Sequence, residues 1–302
     1  NNYLENLNEE QKLPVLHKDG PLIVIAGAGS GKTRVLTYRI IHLINEGVDP
    51  FNILALTFTN KAALEMKNRI SLITSESVSR SIWMGTFHSI FARILRSEAP
   101  LIGYPTNFTI YDTYDSEKLI SNIIKEKKLD KDTYKAKSIK NRISSLKNNF
   151  ITVENYFNNS ELIEVDKAAK RDLFGEIYQE YVRRCFKASV MDFDDLLLKT
   201  NELLNKSPET LLKYQQKFKY ILVDEYQDTN YSQYLIVKAL ADRHENLCVV
   251  GDDSQSIYSF RGANIDNILN FKKHYPNSIS YKLEQNYRST KNIVQAANSL
   301  IN

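Results

Sequence analysis

Leu22-Ile23-Val24-Ile25-Ala26-Gly27-Ala28-Gly29-Ser30-Gly31-Lys32-Thr33 is the stretch on which the fold turns. Five apolar residues run into Gly-Ala-Gly-Ser-Gly, and a helical pattern follows from Lys32 to Asn45. An apolar run so short and continuous reads as a strand buried on both faces. Strand, glycine-rich turn and helix in that order form a P-loop arrangement, with Ala26 where a first glycine is often found. The glycines let backbone N–H groups curl around phosphate oxygens, and the helix N-terminus adds a favourable dipole. Gly27, Ala28, Gly29, Ser30, Gly31, Lys32 and Thr33 are therefore candidate contacts to ATP. Lys32 is expected to reach the β- and γ-phosphates, and the Thr33 hydroxyl to ligate Mg²⁺.

Working outward, the same alternation recurs. Ile53 to Phe58 is a second apolar run, followed by helical spacing from Asn60 to Ile73. Tyr220 to Val223 and Leu247 to Val250 are two more, each leading into Asp or Gly-Asp. Apolar runs alternating with helices predict an α/β fold with a buried parallel sheet, whose ligand face lies beyond the strand C-termini. From about Ser89 to Pro208 the chain is rich in Lys, Glu, Leu, Ile and Tyr and reads as mostly helical. The expected architecture is one α/β domain split by a helical insertion. Ser278 to Leu283 is a late alternating strand, and the chain stops 19 residues beyond it, so a truncated unit is expected.

Two further segments leave strands carrying reactive side chains. Asp224-Glu225-Tyr226-Gln227-Asp228 supplies paired carboxylates. Alone they could be helix N-caps; downstream of a P-loop, Asp224 is expected to hold Mg²⁺ and Glu225 to deprotonate the attacking water. A metal-bound carboxylate is a poor base, which is why two acids are needed. Gly251-Asp252-Asp253-Ser254-Gln255 is the second, with Gln255 a candidate for the γ-phosphate. Directly beyond come Tyr258, Phe260 and Arg261. They are either core or stacking platforms for unpaired bases, worth about 1–3 kcal/mol per base.

Composition narrows the class. The chain has 302 residues, 42% hydrophobic and 25% charged, enough to bury a core. Two cysteines rule out a disulfide scaffold. No apolar run approaches the roughly 20 residues that cross a bilayer, and Asn1 to Lys12 has no signal-peptide pattern. A soluble protein of a reducing compartment is expected, without membrane partners. The net charge of +4 conceals an uneven distribution: residues 117–150 hold ten Lys/Arg against four acids. That block is either a polyanion-facing surface or a solvated helical face.

Together these segments resemble superfamily 1 DNA helicases of the UvrD/Rep/PcrA type, with eight motifs in the family's order. Leu7 to Gln11 is similar to the Q motif, Ala26 to Thr33 to motif I, Leu56 to Ala63 to motif Ia and Gly85 to His88 to motif Ib. Asp192 to Leu196 resembles a further family signature. Asp224 to Asn230 resembles motif II, Gly251 to Ala263 motif III and Leu283 to Ser289 motif IV. One departure is Ser259-Phe260, where close relatives often have Arg-Trp. The resemblance implies that Gln11 reads the adenine edge, that Arg34 and Tyr287 sandwich the ring, and that Arg288 is an arginine finger. It implies single-stranded DNA contacts at Phe58, Thr59, Asn60, Thr86 and His88, beside those at Tyr258, Phe260 and Arg261.

The domains implied are a RecA-like P-loop NTPase domain at 1–89 and 209–280, a helical insertion at 90–208, and at 281–302 the start of a second RecA-like domain. The implied activity is ATP-driven 3′→5′ translocation on single-stranded DNA and unwinding of duplex DNA, in a bacterial cytoplasm close to the nucleoid. The 302-residue chain alone is expected to bind ATP·Mg²⁺ weakly and to unwind nothing. Two alternatives stay open on sequence: the motor portion of a helicase–nuclease subunit, and a non-catalytic DNA-binding module.

Overall fold

The computed structural model describes residues 3–27, 29–252 and 271–284. In chain order the first elements are α1 (Glu9–Leu16), β1 (Leu22–Ala26), α2 (Lys32–Asn45), β2 (Ile53–Thr57), α3 (Asn60–Ile73), α4 (Glu76–Ser81), β3 (Trp83–Thr86) and α5 (Phe87–Glu98). Then come β4 (Thr109–Tyr111), α6 (Thr113–Glu126), α7 (Ala136–Asn148), α8 (Val153–Phe157), α9 (Ser160–Ala168), α10 (Phe174–Lys187), β5 (Val190–Asp192) and α11 (Asp195–Lys206). The chain continues through α12 (Pro208–Lys217), β6 (Tyr220–Val223), α13 (Tyr231–Ala241), β7 (Leu247–Gly251), α14 (Phe271–His274) and β8 (Ile279–Leu283). It divides into two compact units, one of residues 1–90, 211–230 and 237–302, the other of residues 91–210 and 231–236.

The first unit is built on a six-stranded sheet in the order β3-β2-β6-β7-β1-β8, every pairing parallel. This bears out the α/β expectation. The central strands β2, β6 and β7 are buried along their whole length, which is why their sequences are continuous apolar runs. On one face Val24, Val35, Ile40, Ile41, Ala55, Met66 and Ile70 pack into a common core. In α2 the apolar positions Val35, Leu36, Ile40 and Leu43 recur at helical spacing, and each such side chain fully buried contributes about 1.5–3 kcal/mol. Trp83-Met84-Gly85-Thr86 forms β3 although its sequence carries little strand signal: it is four residues long and contains a glycine. Gly85 is required by packing, since a Cβ there would meet Ser89 Oγ at 2.7 Å.

One expected boundary is corrected. Residues 281–283 do not open a second domain: β8 lies beside β1 with Leu22↔Ile279 through Ala26↔Leu283 in register. Leu283 is buried in the same core, and Glu284 N–H donates to Glu10 Oε2 at 3.0 Å. The edge of the sheet next to β1 is completed by this backbone, which draws the strand into the first unit. Residues 285–302 of that expected domain lie outside the described residues.

The second unit is mostly helical. Ile120, Ile123 and Ile124 of α6, Ile139, Ile143 and Leu146 of α7, and Phe174, Ile177, Tyr178, Tyr181 and Cys185 of α10 form its core. Their i, i+3, i+4, i+7 spacing is the apolar stripe that the sequence displays. A two-stranded parallel sheet of β4 and β5 was not foreseen; each strand is only three residues long. The unit also takes in residues 231–236, outside the expected 90–208: Asn201 Nδ2 donates to Ser232 O and Oγ, both at 2.9 Å. Cys185 and Cys248 are buried free thiols, and among the described residues no helix is long and apolar enough to cross a membrane.

The basic block of residues 117–150 also reads differently in three dimensions. Lys147 is wholly buried, its Nζ 2.7 Å from Asp192 and 2.8 Å from Asp195. Arg142 pairs with Asp166, Lys140 with Asp194 and Lys127 with Glu176. Four of the ten cations are thus matched by acids outside the segment, so the local charge counted along the chain overstates the charge at the surface.

Candidate nucleotide and nucleic-acid site

The site belongs to the first unit and lies at the carboxyl ends of its strands. After β1 the chain turns through Gly29 (φ 78°) and Gly31 (φ 90°), left-handed backbone that costs glycine nothing. Ser30 closes the turn on Gly27 O through its hydroxyl at 2.6 Å and its N–H at 3.3 Å. Lys32 and Thr33 then occupy the first turn of α2, where backbone N–H groups face outward.

Because β6, β7 and β1 are neighbours in the sheet, the residues that follow them converge. Lys32 Nζ is buried 3.3 Å from Glu225 Oε2 and 3.7 Å from Asp252 Oδ2. Thr33 Oγ1 donates to Asp224 Oδ2 at 3.3 Å, and Glu225 N–H donates to Asp224 Oδ1 at 2.9 Å. Asp224 N–H is itself fixed by Leu56 O of β2 at 3.0 Å. Glu225 holds left-handed backbone (φ 46°), a strained conformation for a residue with a Cβ and one that recurs at functional sites.

Burial, and then the charge of Glu225, push the Asp224 carboxyl up to about 6. A buried carboxylate short of positive charge is a place where a cation is stabilised. Among the described residues no group of three or more His, Cys, Asp or Glu could hold a metal alone. Mg²⁺, however, keeps waters and takes phosphate oxygens, so one hydroxyl and one carboxylate are an adequate protein contribution. Thr33 and Asp224 fit that requirement.

Beside the P-loop, Glu5, Asn6, Leu7, Asn8, Gln11, Gly31 and Arg34 line a cleft of about 330 Å³. Gln11 stands at the third position of α1 in a capping box with Asn8. Gln11 N–H donates to Asn8 Oδ1 at 2.7 Å, and Asn8 N–H to Gln11 Oε1 at 3.3 Å. Its Nε2 donates to Ser30 O at 3.1 Å, latching α1 to the P-loop. A Cβ on Gly31 would lie 2.5 Å from that Nε2 and would force the Gln11 amide aside, and the φ of 90° strains any residue with a side chain there. Among the described residues the buried Arg34 Nε has no hydrogen-bond partner, a donor left over on the wall of the cleft.

The candidate DNA-contacting residues gather at the ends of β2 and β3, which pair with Thr57↔Thr86 in register. Phe58 is half-buried, its ring 5.4 Å from that of Phe87. Thr59 caps α3 by accepting Ala62 N–H at 3.1 Å, and Asn60 opens that helix, exposed. Thr86 accepts Ser89 N–H at 3.3 Å, and His88 is half-buried on the first turn of α5. Ala28, Gln255, Tyr258, Phe260, Arg261, Tyr287 and Arg288 lie outside the described residues.

Three residues with no expected role emerge from the geometry: Gln227, Asp252 and Arg39. Gln227 and Asp252 flank the acids within motifs already quoted, but only the fold shows that they touch. Arg39 is a lone cation in the apolar middle of α2, buried, donating to the carbonyls of Pro14, His17 and Lys18. Burial holds its guanidinium below the usual arginine value, and it ties the C-terminal end of the Gln11 helix to α2.

Comparison with known proteins supplies the family. The family model of the UvrD/REP helicase N-terminal domain matches residues 7–276. The ATP-dependent DNA helicase PcrA of Bacillus subtilis is 49% identical over 302 residues, covering 100% of this chain and 40% of the relative. PcrA of Leuconostoc citreum is 48% identical over 297 residues, 98% of this chain and 39% of the relative. PcrA of Staphylococcus aureus is 46% identical over 305 residues, 100% of this chain and 40% of the relative. The chain therefore spans about 40% of the length of the curated relatives it matches. A match across most of the sequence, on a parallel α/β sheet with its P-loop, places the chain in the UvrD/REP helicase N-terminal domain family.

Proposed function

We propose that this chain is the ATP-binding motor part of a 3′→5′ DNA helicase, coupling ATP hydrolysis to movement along single-stranded DNA and to duplex unwinding. The observation that carries the reading is the convergence of Lys32, Thr33, Asp224 and Glu225 at the ends of adjacent strands. Lys32 exchanges its carboxylate partners for the β- and γ-phosphates. Thr33 and Asp224 would hold Mg²⁺, which when bound neutralises phosphate charge. Glu225 takes the proton of the attacking water, its carboxylate partly open to solvent at 35% exposure. Gln11 and Arg34 receive the adenine in the cleft beside Gly31, with Tyr287 as the second face of the sandwich. Gln255 and the arginine finger Arg288 complete the γ-phosphate contacts. Phe58, Thr59, Asn60, Thr86 and His88 meet the DNA strand at the β2 and β3 ends, with Tyr258, Phe260 and Arg261 stacking and pairing against it.

A non-catalytic module has no need of a buried lysine aimed at a general-base carboxylate, and the retained quartet disfavours it. Substituting Glu225→Gln in the full-length protein is expected to lower DNA-stimulated ATPase turnover by about 10²–10⁴ while nucleotide still binds. Steady-state ATPase assays with and without single-stranded DNA test this; undiminished turnover would remove Glu225 from the mechanism.

A further inference from the structure

Gln227 is buried at 3% exposure, and its amide joins two segments that leave neighbouring strands. Its Nε2 donates to Glu225 Oε2 at 2.6 Å, and its Oε1 accepts the Asp252 N–H at 3.1 Å. Only one orientation of the amide satisfies both, because the carboxylate can only accept and the backbone N–H can only donate. The single 3₁₀ turn that presents it, Tyr226–Asp228, is itself anchored: Asp228 N–H reaches Glu225 O at 2.9 Å, and Thr229 Oγ1 reaches Tyr226 O at 2.6 Å. The Tyr226 ring sits edge-on to Phe271 at 6.0 Å. The turn is rigid, whereas the side chain it restrains is not: Glu225 is a third exposed and long enough to take several rotamers.

Two donors meet on the same oxygen of Glu225. Gln227 Nε2 and Lys32 Nζ both contact Oε2, while Oε1 makes no hydrogen bond among the described residues. We infer that Gln227 is the positioning residue of the hydrolytic step: it holds Oε2 and presents Oε1 as the atom that accepts the proton of water. The inference rests on the reading of Glu225 as general base. It explains what keeps that carboxylate aimed once Lys32 turns to phosphate, since Gln227 is the one of the two donors with no phosphate to serve. The same amide, through the Asp252 N–H, ties the base to the end of β7.

The test uses the full-length protein with Mg²⁺·ATP and single-stranded DNA. Gln227→Met keeps the volume and removes both bonds; Gln227→Glu keeps an acceptor for Asp252 N–H but sets an acceptor against Glu225. Both are expected to lower kcat by about 10–100-fold, the scale of a misplaced catalytic group. KM for ATP and the affinity for a fluorescent ATP analogue should stay within about threefold. Should Gln227→Met fail to fold, Gln227→Glu carries the readout, because its bond to β7 is retained. The decisive arm is the double variant: in a Glu225→Gln background, Gln227→Met is expected to cause no further loss of kcat, because it acts only through that carboxylate. A loss that multiplies in the double variant, or parallel changes in KM and kcat, would make Gln227 merely structural and overturn the inference. Wild-type turnover in Gln227→Met beside a collapsed Glu225→Gln overturns this inference alone. Undiminished turnover in Glu225→Gln overturns both.

Discussion

Asp224 shows how burial and a neighbouring charge set the behaviour of a single carboxyl. Its carboxyl is 3% exposed, accepts from Thr33 Oγ1 and from Glu225 N–H, and faces the charge of Glu225. Its folded value of about 6 stands above the ordinary 3.8, so the folded chain binds this proton more tightly than the unfolded chain does. Protonation favours the fold, and stability falls as pH rises from about 4 to about 6, then stays lower. The penalty at neutral pH is about 2–3 kcal/mol, from about 1.4 kcal/mol per pKa unit. Asp224→Asn, which keeps Oδ1 as the acceptor for Glu225 N–H and turns its amide nitrogen as a donor toward Thr33 Oγ1, should therefore raise the melting temperature of metal-free, nucleotide-free protein at pH 8. The gain should vanish near pH 4. Thermal melts in chelator at the two pH values check it; equal melting at pH 8 would show that the carboxylate carries no such strain.

At the scale of elements, the Asp192–Asp195 signature has a structural job. Asp192 accepts the Asp195 N–H at 2.8 Å and Asp195 accepts the Asp192 N–H at 3.0 Å, a reciprocal pair that closes the turn from β5 into α11. Lys147 of α7 bridges both carboxylates, and Tyr181 of α10 donates to Asp192 at 2.8 Å. The knot joins α7, α10, β5 and α11. Burial alone would depress Lys147, but Asp192 and Asp195 outweigh it and hold the ammonium charged. Removing one partner of such a cluster leaves an uncompensated buried charge, so Lys147→Met should cost about 3–5 kcal/mol in urea unfolding. The triple change Lys147→Met, Asp192→Asn, Asp195→Asn should recover most of that loss, because no charge is then stranded. A triple variant as unstable as the single would mean that the charges themselves hold the helices. Arg39 works similarly on α1 and α2, as a cation whose partners are carbonyls rather than acids.

On the scale of the whole molecule, the question left by composition is whether the basic block faces a polyanion. Lys125, Lys128 and Lys131 are exposed and make no ion pair among the described residues, unlike Lys127, Arg142 and Lys147. If this face meets phosphate, changing these three to Glu should flatten the slope of log affinity against log salt by about one per lost contact. Titrations of the full-length protein with DNA at several salt concentrations measure it, and an unaltered slope would return the segment to solvent. The strand–turn–helix at Leu22 to Asn45, the apolar runs of β2, β6 and β7, and the acids at 224 and 225 were legible in sequence because each is a local pattern. The boundary at 280, the strand β3, the burial of Lys147 and the grip of Gln227 on Glu225 were not. Those depend on partners far apart along the chain: 25 residues for Gln227 with Asp252, 45 for Lys147 with Asp192, 193 for Lys32 with Glu225. By itself the sequence determined the longer helices, the apolar strands of the sheet and the candidate site residues, since period, glycine placement and residue type act within a few positions. The tertiary structure alone decided which charges are spent inside, where the first sheet ends and which donors meet the Glu225 carboxylate, because strand order and burial bring those groups within bonding distance.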